Sequence, residues 1–347
     1  MTEGQTESLC DEIARRALEL GFDDVGYCSA LPFDEWRNVA NEAISRRILY
    51  DPRALMGEAR SIVVAVRRYD VFDSWPEGAA PVANYYTNST VGFERVKSLA
   101  VLLEERGYRV MANPSIPAKQ AAIRAGMGTQ GMNTQFCHAK LGILVSIHLI
   151  LTDAPLADRD APRRECVHCR RCVQACPTGA IYEGGFNREK CLRHLMASGS
   201  TVPEWARDMM GLRLTGCTDC QHACPRAGIR MAEVPQALAE ACGIEGLLRG
   251  DAAQYETLAG YIGSNFARMK RIRPQAAICA GNSADRRYVP ALAALLSQSD
   301  ETLRSHAAWA LGKLGGPEAE AALTLALARE KSENVRRELE SALQRFI

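Results

Sequence analysis

The chain has 347 residues, of which 47% are apolar and 24% are charged, enough for two or three globular domains. Its formal net charge of +1 favours neither a nucleic acid nor a membrane as a partner, so any basic surface must be local. The opening MTEGQTESLCDE is not a signal peptide, and the apolar run at 141–151 is shorter than the roughly 20 residues that span a bilayer. We therefore expect a cytoplasmic protein without a membrane partner.

Residues 1–155 are predicted to form an α/β domain. Leu9, Ile13, Ala17 and Leu20 form a helical stripe, and a second helix carries Phe93, Val96, Leu99, Ala100 and Leu103 before Gly107. Buried strands are expected at 22–28, 61–66, 108–111 and 143–151. Strands that alternate with helices favour a sheet covered by helices.

Residues 231–347 are predicted to be helical and repetitive. Arg273, Ala276, Ala277 and Gly281 recur as Arg304, Ala307, Ala308 and Gly312, and Leu303, Arg304 and Leu311 recur as Val335, Arg336 and Leu343. A period of 31 to 32 residues is typical of HEAT-like helix pairs, in which small residues allow close helix packing. A single irregular bundle is the alternative.

Thirteen cysteines in a chain without an export signal do not suggest disulfides, and eight of them fall between 166 and 224. Residues 156–230 are therefore predicted to form a metal-binding insert. Its first motif is CVHCRRCVQACP, which starts at Cys166 and has the C-x2-C-x2-C-x3-C-P spacing of bacterial ferredoxins. In that spacing three thiolates bind one 4Fe–4S cluster and the fourth binds the other.

The second motif is CTDCQHACP, which starts at Cys217 and lacks one cysteine of the standard run. Cys191 lies between the motifs and completes a count of eight, as two 4Fe–4S clusters require. Cluster one is assigned Cys166, Cys169, Cys172 and Cys224, and cluster two is assigned Cys176, Cys191, Cys217 and Cys220.

Zinc is the competing interpretation of paired C-x2-C motifs, but the repeated x3-C-P element and the total of eight favour clusters. The other five cysteines lie in apolar or helical patterns and are interpreted as small buried hydrophobic residues. They are Cys10, Cys28, Cys137, Cys242 and Cys279.

This domain order resembles the epoxyqueuosine reductase family, and the resemblance covers nearly the whole chain. Besides the cysteine motifs it rests on AIRAGMGTQGMN at 122–133, LTDAPL at 151–156, MGLRLTGCTDCQ at 210–221, MKRIRPQAAICAGNSA at 269–284 and AAWALGKLG at 307–315. The resemblance implies a reductive-dehalogenase-like α/β core and a cobalamin beside one cluster. It also implies reduction of an epoxide on tRNA in queuosine synthesis, with electrons from a flavodoxin or ferredoxin, in a chain expected to be monomeric.

The resemblance suggests candidate cofactor-binding residues, and local charge suggests candidate tRNA contacts. Asn133, Gly128, Gly131, Arg213 and Gly216 are the candidate cofactor-binding residues. The segment 268–287 has a local charge of +5, and its candidate tRNA contacts are Lys270, Arg271, Arg273, Arg286 and Arg287. A solvated helix face explains such a charge run about as well.

The family's catalytic aspartate has no counterpart here. Its position is Ala112, and no carboxylate occurs from 110 to 124. The tryptophan and lysine of the family's Trp-x-Gly-Lys-Asn are Thr129 and Met132. The remaining proton-donor candidates are Tyr85, Tyr86, Asn113, Lys119 and His138, each of which also has an ordinary structural explanation.

Three functions therefore remain open. The first is an epoxyqueuosine reductase or a close paralogue. The second is a corrinoid-dependent reductase of another, small substrate, which the missing aspartate favours. The third is an electron carrier that reduces a partner protein and has no substrate pocket of its own; bound corrinoid would argue against it.

Overall fold

The computed structural model describes residues 3–37, 48–157 and 165–346. Residues 1–2 and 38–47 of the predicted α/β domain, 158–164 of the predicted insert and 347 of the predicted tail lie outside the described residues. In chain order the strands are β1 (Asp24–Ser29), β2 (Ser61–Arg68), β3 (Val71–Phe72), β4 (Val110–Ala112), β5 (Gly128–Gln130), β6 (Phe136–His138), β7 (Val145–Thr152), β8 (Ile181–Tyr182), β9 (Gly185–Phe186) and β10 (Met231–Ala232).

The helices of the first two regions are α1 (Glu3–Glu19), α2 (Asp34–Arg37), α3 (Asn84–Glu105), α4 (Ala118–Arg124), α5 (Arg171–Gln174), α6 (Leu192–Ser198), α7 (Glu204–Met210) and α8 (Asp219–His222). Those of the tail are α9 (Gln236–Ala241), α10 (Ile244–Arg249), α11 (Ala252–Ile262), α12 (Met269–Asn282), α13 (Val289–Leu295), α14 (Glu301–Leu314), α15 (Pro317–Leu327) and α16 (Glu333–Leu343). Short 3-10 turns lie at 52–54, 188–190, 286–288 and 344–346.

The N-terminal region is built on an antiparallel sheet of order β1-β2-β7-β4, and its four strands are those expected from the apolar runs. Successive β2 side chains point to opposite faces. Val63 and Ala65 pack with α1 and α3, whereas Ile62, Val64 and Val66 pack with α4. Both faces are thereby covered, which explains why β2 is apolar without alternation.

The second predicted helix is confirmed as α3, which starts earlier than its apolar stripe suggested, and one member of that stripe is exposed. Val96, Leu99, Ala100 and Leu103 are buried, but Phe93 is 46% exposed and lies under the Lys97 ammonium, 4.7 Å from the ring centroid. The stripe is therefore narrower than the sequence suggested.

The tail contains the stacked helices that the repeat predicted. Helices α12, α14 and α16 pack side by side, each one repeat apart, and the repeated glycines lie where they touch. A Cβ on Gly281 would lie 2.9 Å from Ala310 Cα, and one on Gly312 would lie 2.9 Å from Ala342 Cα. The repeated small residues therefore allow close packing between neighbouring helices.

The insert and the tail share one core, so packing crosses the predicted boundary at residue 230. Leu192, Met196 and Met210 of the insert join the tail's apolar cluster. Buried His306 bridges the two, since its Nε2 accepts from the Val202 amide at 2.9 Å and its Nδ1 lies 3.1 Å from the Pro274 carbonyl. The boundaries at 155 and 230 stay predictions. Within the described residues, none of the helices combines the length and apolar character that a bilayer crossing needs.

Candidate functional site

The four cysteines assigned to cluster one line a single cavity. Cys166 and Cys169 lie on the loop that leads into α5, Cys172 lies in the first turn of α5, and Cys224 follows α8. His168 and Arg170 have φ of +48° and +60°, and these left-handed residues curl the loop so that its cysteines face inward. Cys169 is exposed, so this cavity lies near the protein surface.

The cavity suits a cubane cluster better than a single ion. Among the described residues, no three Cys, His, Asp or Glu side chains converge closely enough to hold one metal ion. A zinc site would need four ligands within about 2.3 Å of one point, whereas a 4Fe–4S cluster binds each thiolate through a different iron. Thiols spread around a cavity therefore fit the cluster.

The four cysteines assigned to cluster two are all half-buried. Burial, followed by the neighbouring thiols of Cys217, Cys191 and Cys176, raises the pKa of Cys220 to about 12. Burial opposes ionisation of Cys176, but backbone amides of Ile181, Thr178 and Ala180 lower its pKa overall. Such N–H···S contacts stabilise the thiolate that a metal ligand must present.

Three polar contacts fix the α/β domain against the insert. The Asn133 amide donates to the Cys220 carbonyl at 3.1 Å. The Arg226 guanidinium donates to the carbonyls of His138 and Ala139 at 3.3 and 3.2 Å. These contacts hold the β5–β6 hairpin against the second cysteine motif, and residues of the hairpin also line the cluster-one cavity.

The five candidate cofactor residues do not form one surface. Gly131 and Asn133 line the cluster-one cavity. A Cβ on Gly128 would collide with the Cys137 carbonyl, so this glycine serves the hairpin. Arg213 pairs with both carboxylate oxygens of Asp219 at 2.8 and 2.9 Å, and Gly216 packs against the Tyr85 hydroxyl. Their contacts are with the protein itself.

A polar group beside cluster two brings together three of the predicted catalytic candidates. Tyr85 and Tyr86 pack with ring centroids 4.4 Å apart, and neither hydroxyl, although buried, makes a hydrogen bond of ordinary geometry. Burial, and then the adjacent Tyr86, raises the pKa of Tyr85, while the guanidinium of Arg193 acts in the opposite direction. Burial, and then the charge of Arg193, lowers the pKa of Lys119.

Arg193 was missed by sequence reasoning, although its position two residues after Cys191 was a usable signal. Lys119 donates to the Thr134 carbonyl at 2.7 Å. Within the described residues, neither Lys119 nor Arg193 forms a salt bridge with a carboxylate. We call Tyr85, Tyr86, Lys119 and Arg193 the polar quartet; it offers hydrogen-bond donors and two positive charges.

The other two catalytic candidates have structural roles. His138 is 1% exposed, its Nδ1 accepts from the amides of Lys140 and Leu141, and its Nε2 lies 3.0 Å from an Asp24 carboxylate oxygen. Both ring nitrogens are thus occupied. Asn113 has a φ of +53°, and its side-chain amide donates to the Phe93 carbonyl at 3.1 Å, which holds the turn after β4.

The basic segment is less available than its charge suggested. Arg273 donates to the carbonyls of Leu248 and Arg249. Arg286 pairs with Glu318 at 3.0 Å, and Arg287 pairs with Asp285 at 2.8 Å.

Arg271 donates to the Asn265 carbonyl at 3.2 Å. Exposed Lys270 is the member of the predicted set for which no ion pair or hydrogen bond is found among the described residues. The local charge count could not predict that backbone carbonyls and carboxylates pair with most of these arginines.

The fold and its cysteine cavities define an iron–sulfur oxidoreductase. Residues 165–227 match the 4Fe-4S double cluster binding domain, and residues 267–344 match HEAT repeats. An epoxyqueuosine reductase of Bacillus anthracis is 24% identical over 97% of each chain.

Two solved structures are similar over 98% of this chain and 99% of theirs, each with 24% identity and a TM-score of 0.85. One is the Bacillus subtilis epoxyqueuosine reductase with its catalytic aspartate loop swung out of the active site. The other is an epoxyqueuosine reductase with an epoxyqueuosine-modified tRNA-Tyr stem loop. The present chain is thus similar to epoxyqueuosine reductases over nearly its whole length, in sequence and in fold.

Proposed function

We propose that this chain is a cobalamin-dependent reductase of epoxyqueuosine in tRNA, with cluster one and cluster two ligated as the two cysteine sets above. The observation that carries the proposal is the polar quartet beside Cys191 and Gly216, where cluster two adjoins the α/β domain. A flavodoxin-type or ferredoxin-type protein in the cytoplasm supplies the electrons, and the chain acts as a monomer.

A corrinoid fits the quartet chemically. Cobalamin carries carboxamides and a phosphate, which are hydrogen-bond acceptors, and the quartet contains donors that lack them. Gly216 allows the insert to approach Tyr85, because a Cβ there would lie 2.5 Å from the hydroxyl. When bound, the corrinoid supplies a strongly reducing cobalt centre, chemistry that no side chain offers.

Tyr85 is the proton donor that replaces the family's aspartate in this proposal. An opening epoxide leaves an alkoxide, a much stronger base than a phenolate, so even a tyrosine of raised pKa protonates it favourably. The positive charge of Arg193 beside the hydroxyl stabilises the phenolate that remains. Lys119 adds a second positive charge near Arg193.

Ala112 supports a second candidate, reduction of a different small substrate by the same cofactors. Ala112 pairs with Ile150 at the sheet edge and carries no group that transfers a proton. An anionic substrate would suit the quartet, since Lys119 and Arg193 are without a carboxylate partner in the described part of the chain.

The experiment is anaerobic turnover of an epoxyqueuosine-containing tRNA stem loop by reconstituted protein with cobalamin and a low-potential reductant. We expect product from the native chain and a roughly 10²–10⁴-fold slower rate from Tyr85→Phe, the usual range for loss of a general acid. Tyr86→Phe is the matched control and should change the rate less.

A native protein that has both clusters and perturbs the spectrum of added cobalamin, yet leaves the stem loop unchanged, would favour the second candidate. An unchanged cobalamin spectrum and no turnover would favour an electron carrier. Equal rates for Tyr85→Phe and the native chain would remove Tyr85 from the mechanism.

A further inference from the structure

A fifth cysteine lines the cavity assigned to cluster one. Cys137 lies on β6 of the α/β domain, outside the matched cluster domain at 165–227, and it is 4% exposed. It faces the same cavity as Cys166, Cys169, Cys172 and Cys224. The sequence placed Cys137 among small buried hydrophobic residues; it is buried, but against a candidate cluster.

The position of Cys137 is fixed by the contacts that join the two regions. Its strand pairs with β5, where Cys137 lies opposite Thr129. Arg226, two residues after Cys224, donates to the carbonyls of His138 and Ala139 and so holds β6 against the cluster-one loop. The thiol therefore faces the cavity as part of a rigid hairpin.

The Cys137 thiol has no strong acceptor elsewhere in the described structure. The hydrogen bond found for it among the described residues goes to the His138 carbonyl oxygen, 4.0 Å from the sulfur, at the outer limit for a hydrogen bond from sulfur. A cluster with thiolate ligands carries negative charge on its sulfurs, so it would be the best acceptor within reach.

We propose that Cys137 is a hydrogen-bond donor to cluster one that raises its reduction potential without being one of its ligands. This inference rests on the proposed ligand set for cluster one. Reduction adds an electron whose charge spreads onto the sulfurs, which strengthens an S–H···S contact and favours the reduced state. Cluster one also has the exposed ligand Cys169, so a raised potential would help it accept electrons from the external donor.

The other buried cysteines provide a matched comparison. Cys28 packs with the apolar residues of the sheet and α4, and Cys242 and Cys279 lie in the core of the tail. None of these three lines the cluster-one cavity. Removing one of them tests the effect of losing a buried thiol as such.

The test compares full-length Cys137→Ala, Cys137→Ser and Cys28→Ala after anaerobic reconstitution. Iron content and the midpoint potentials of both clusters are measured, the latter by redox titration followed by electron paramagnetic resonance. We expect about eight irons in every variant. The potential of one cluster should fall in Cys137→Ala, stay near or above the native value in Cys137→Ser, and be unchanged in Cys28→Ala.

Three results would overturn the inference. Loss of about half the iron in Cys137→Ala would make Cys137 a ligand. Unchanged midpoint potentials would exclude the hydrogen bond. An equal shift of the potential in Cys28→Ala would show that loss of a buried side chain, and not of the hydrogen bond, causes the change. Native protein without clusters would refute the ligand assignment itself, a distinct failure. Cys137→Val keeps the bulk without the donor and replaces Cys137→Ala if the smaller side chain prevents folding.

Discussion

The cysteine-rich insert and the HEAT-repeat tail are held together by different means. In the tail, helix α14 buries nine of its fourteen residues, and small side chains bring whole helices into contact. In the cysteine loops of the insert, α5 buries none of its residues, and short segments surround cysteines instead of an apolar centre. The tail is therefore stabilised by burial of apolar area, whereas the cluster loops depend on metal ligation.

The largest effect is expected from a substitution that removes a cluster ligand in the insert and leaves the tail folded. Cys191→Ala removes the one proposed ligand of cluster two that lies outside both motifs. We expect about four irons to be lost and about four retained, with helical content nearly unchanged, because most helices lie in the tail, whose core is apolar. Iron analysis and far-ultraviolet circular dichroism measure the two quantities. Full iron retention would show that Cys191 is not a ligand.

The reverse experiment breaks the tail and spares the clusters. Gly281→Ala places a Cβ 2.9 Å from Ala310 Cα and from the Trp309 ring, and backbone cannot yield as a flexible side chain does. We expect the tail to lose about 1–3 kcal/mol of unfolding free energy, as overpacked cores do.

Denaturant unfolding measures the change, and iron content should stay native. The matched control is Gly260→Ala in α11, where a Cβ meets nothing within 4 Å. It should stabilise the helix by about 0.5–1 kcal/mol. If both variants were destabilised equally, close helix contact would not explain the repeated glycine.

A pH-dependent effect is expected where the insert and the tail meet. Burial, and then the charge of Arg207, lowers the pKa of His306 to about 3, so the folded protein keeps this ring neutral. The unfolded chain binds a proton below about pH 6.5, and stability is therefore lost as the pH falls below that value.

Between pH 7 and pH 5, His306 should lower the free energy of unfolding by about 2 kcal/mol. The loss begins near pH 6.5 and amounts to about 1.36 kcal/mol per pH unit below it. His306→Gln retains an acceptor for the Val202 amide and a donor for the Pro274 carbonyl, but it does not titrate. Unfolding curves of both proteins across this range give the difference. If His306→Gln showed the same pH dependence of stability as the native protein, His306 would not be the source of that dependence.

The sequence predicted features that are periodic or locally spaced, and it missed those that depend on how regions meet. The buried strand at 61–68 and the repeated glycines follow from the pattern of apolar and small residues. The cysteine motifs gave the insert and its proposed ligands. Cys137 has no such pattern, because it comes from a hairpin of another domain, and for Arg193 the nearness of Cys191 in the sequence was the one available signal. Their importance depends on tertiary contacts that no local spacing encodes.

The smallest expected effect separates two basic residues of the tail that look alike in sequence. Exposed Lys270 has no ion pair among the described residues, whereas Arg286 already pairs with Glu318. A lysine that contacts a phosphate releases one counterion on binding, so its loss lowers the slope of log affinity against log salt by about 1. Lys270→Ala should therefore weaken binding of the tRNA stem loop most at low salt and reduce that slope.

Arg286→Ala should change the slope less, because its charge is already compensated by a carboxylate. Binding isotherms at several salt concentrations, at constant pH and with intact clusters, measure both variants. The reverse ranking would mean that Glu318 releases Arg286 when RNA binds. Equal and negligible changes would mean that this face of the tail does not contact the RNA, and the basic segment would then be a solvated helix face, as such charge runs often are.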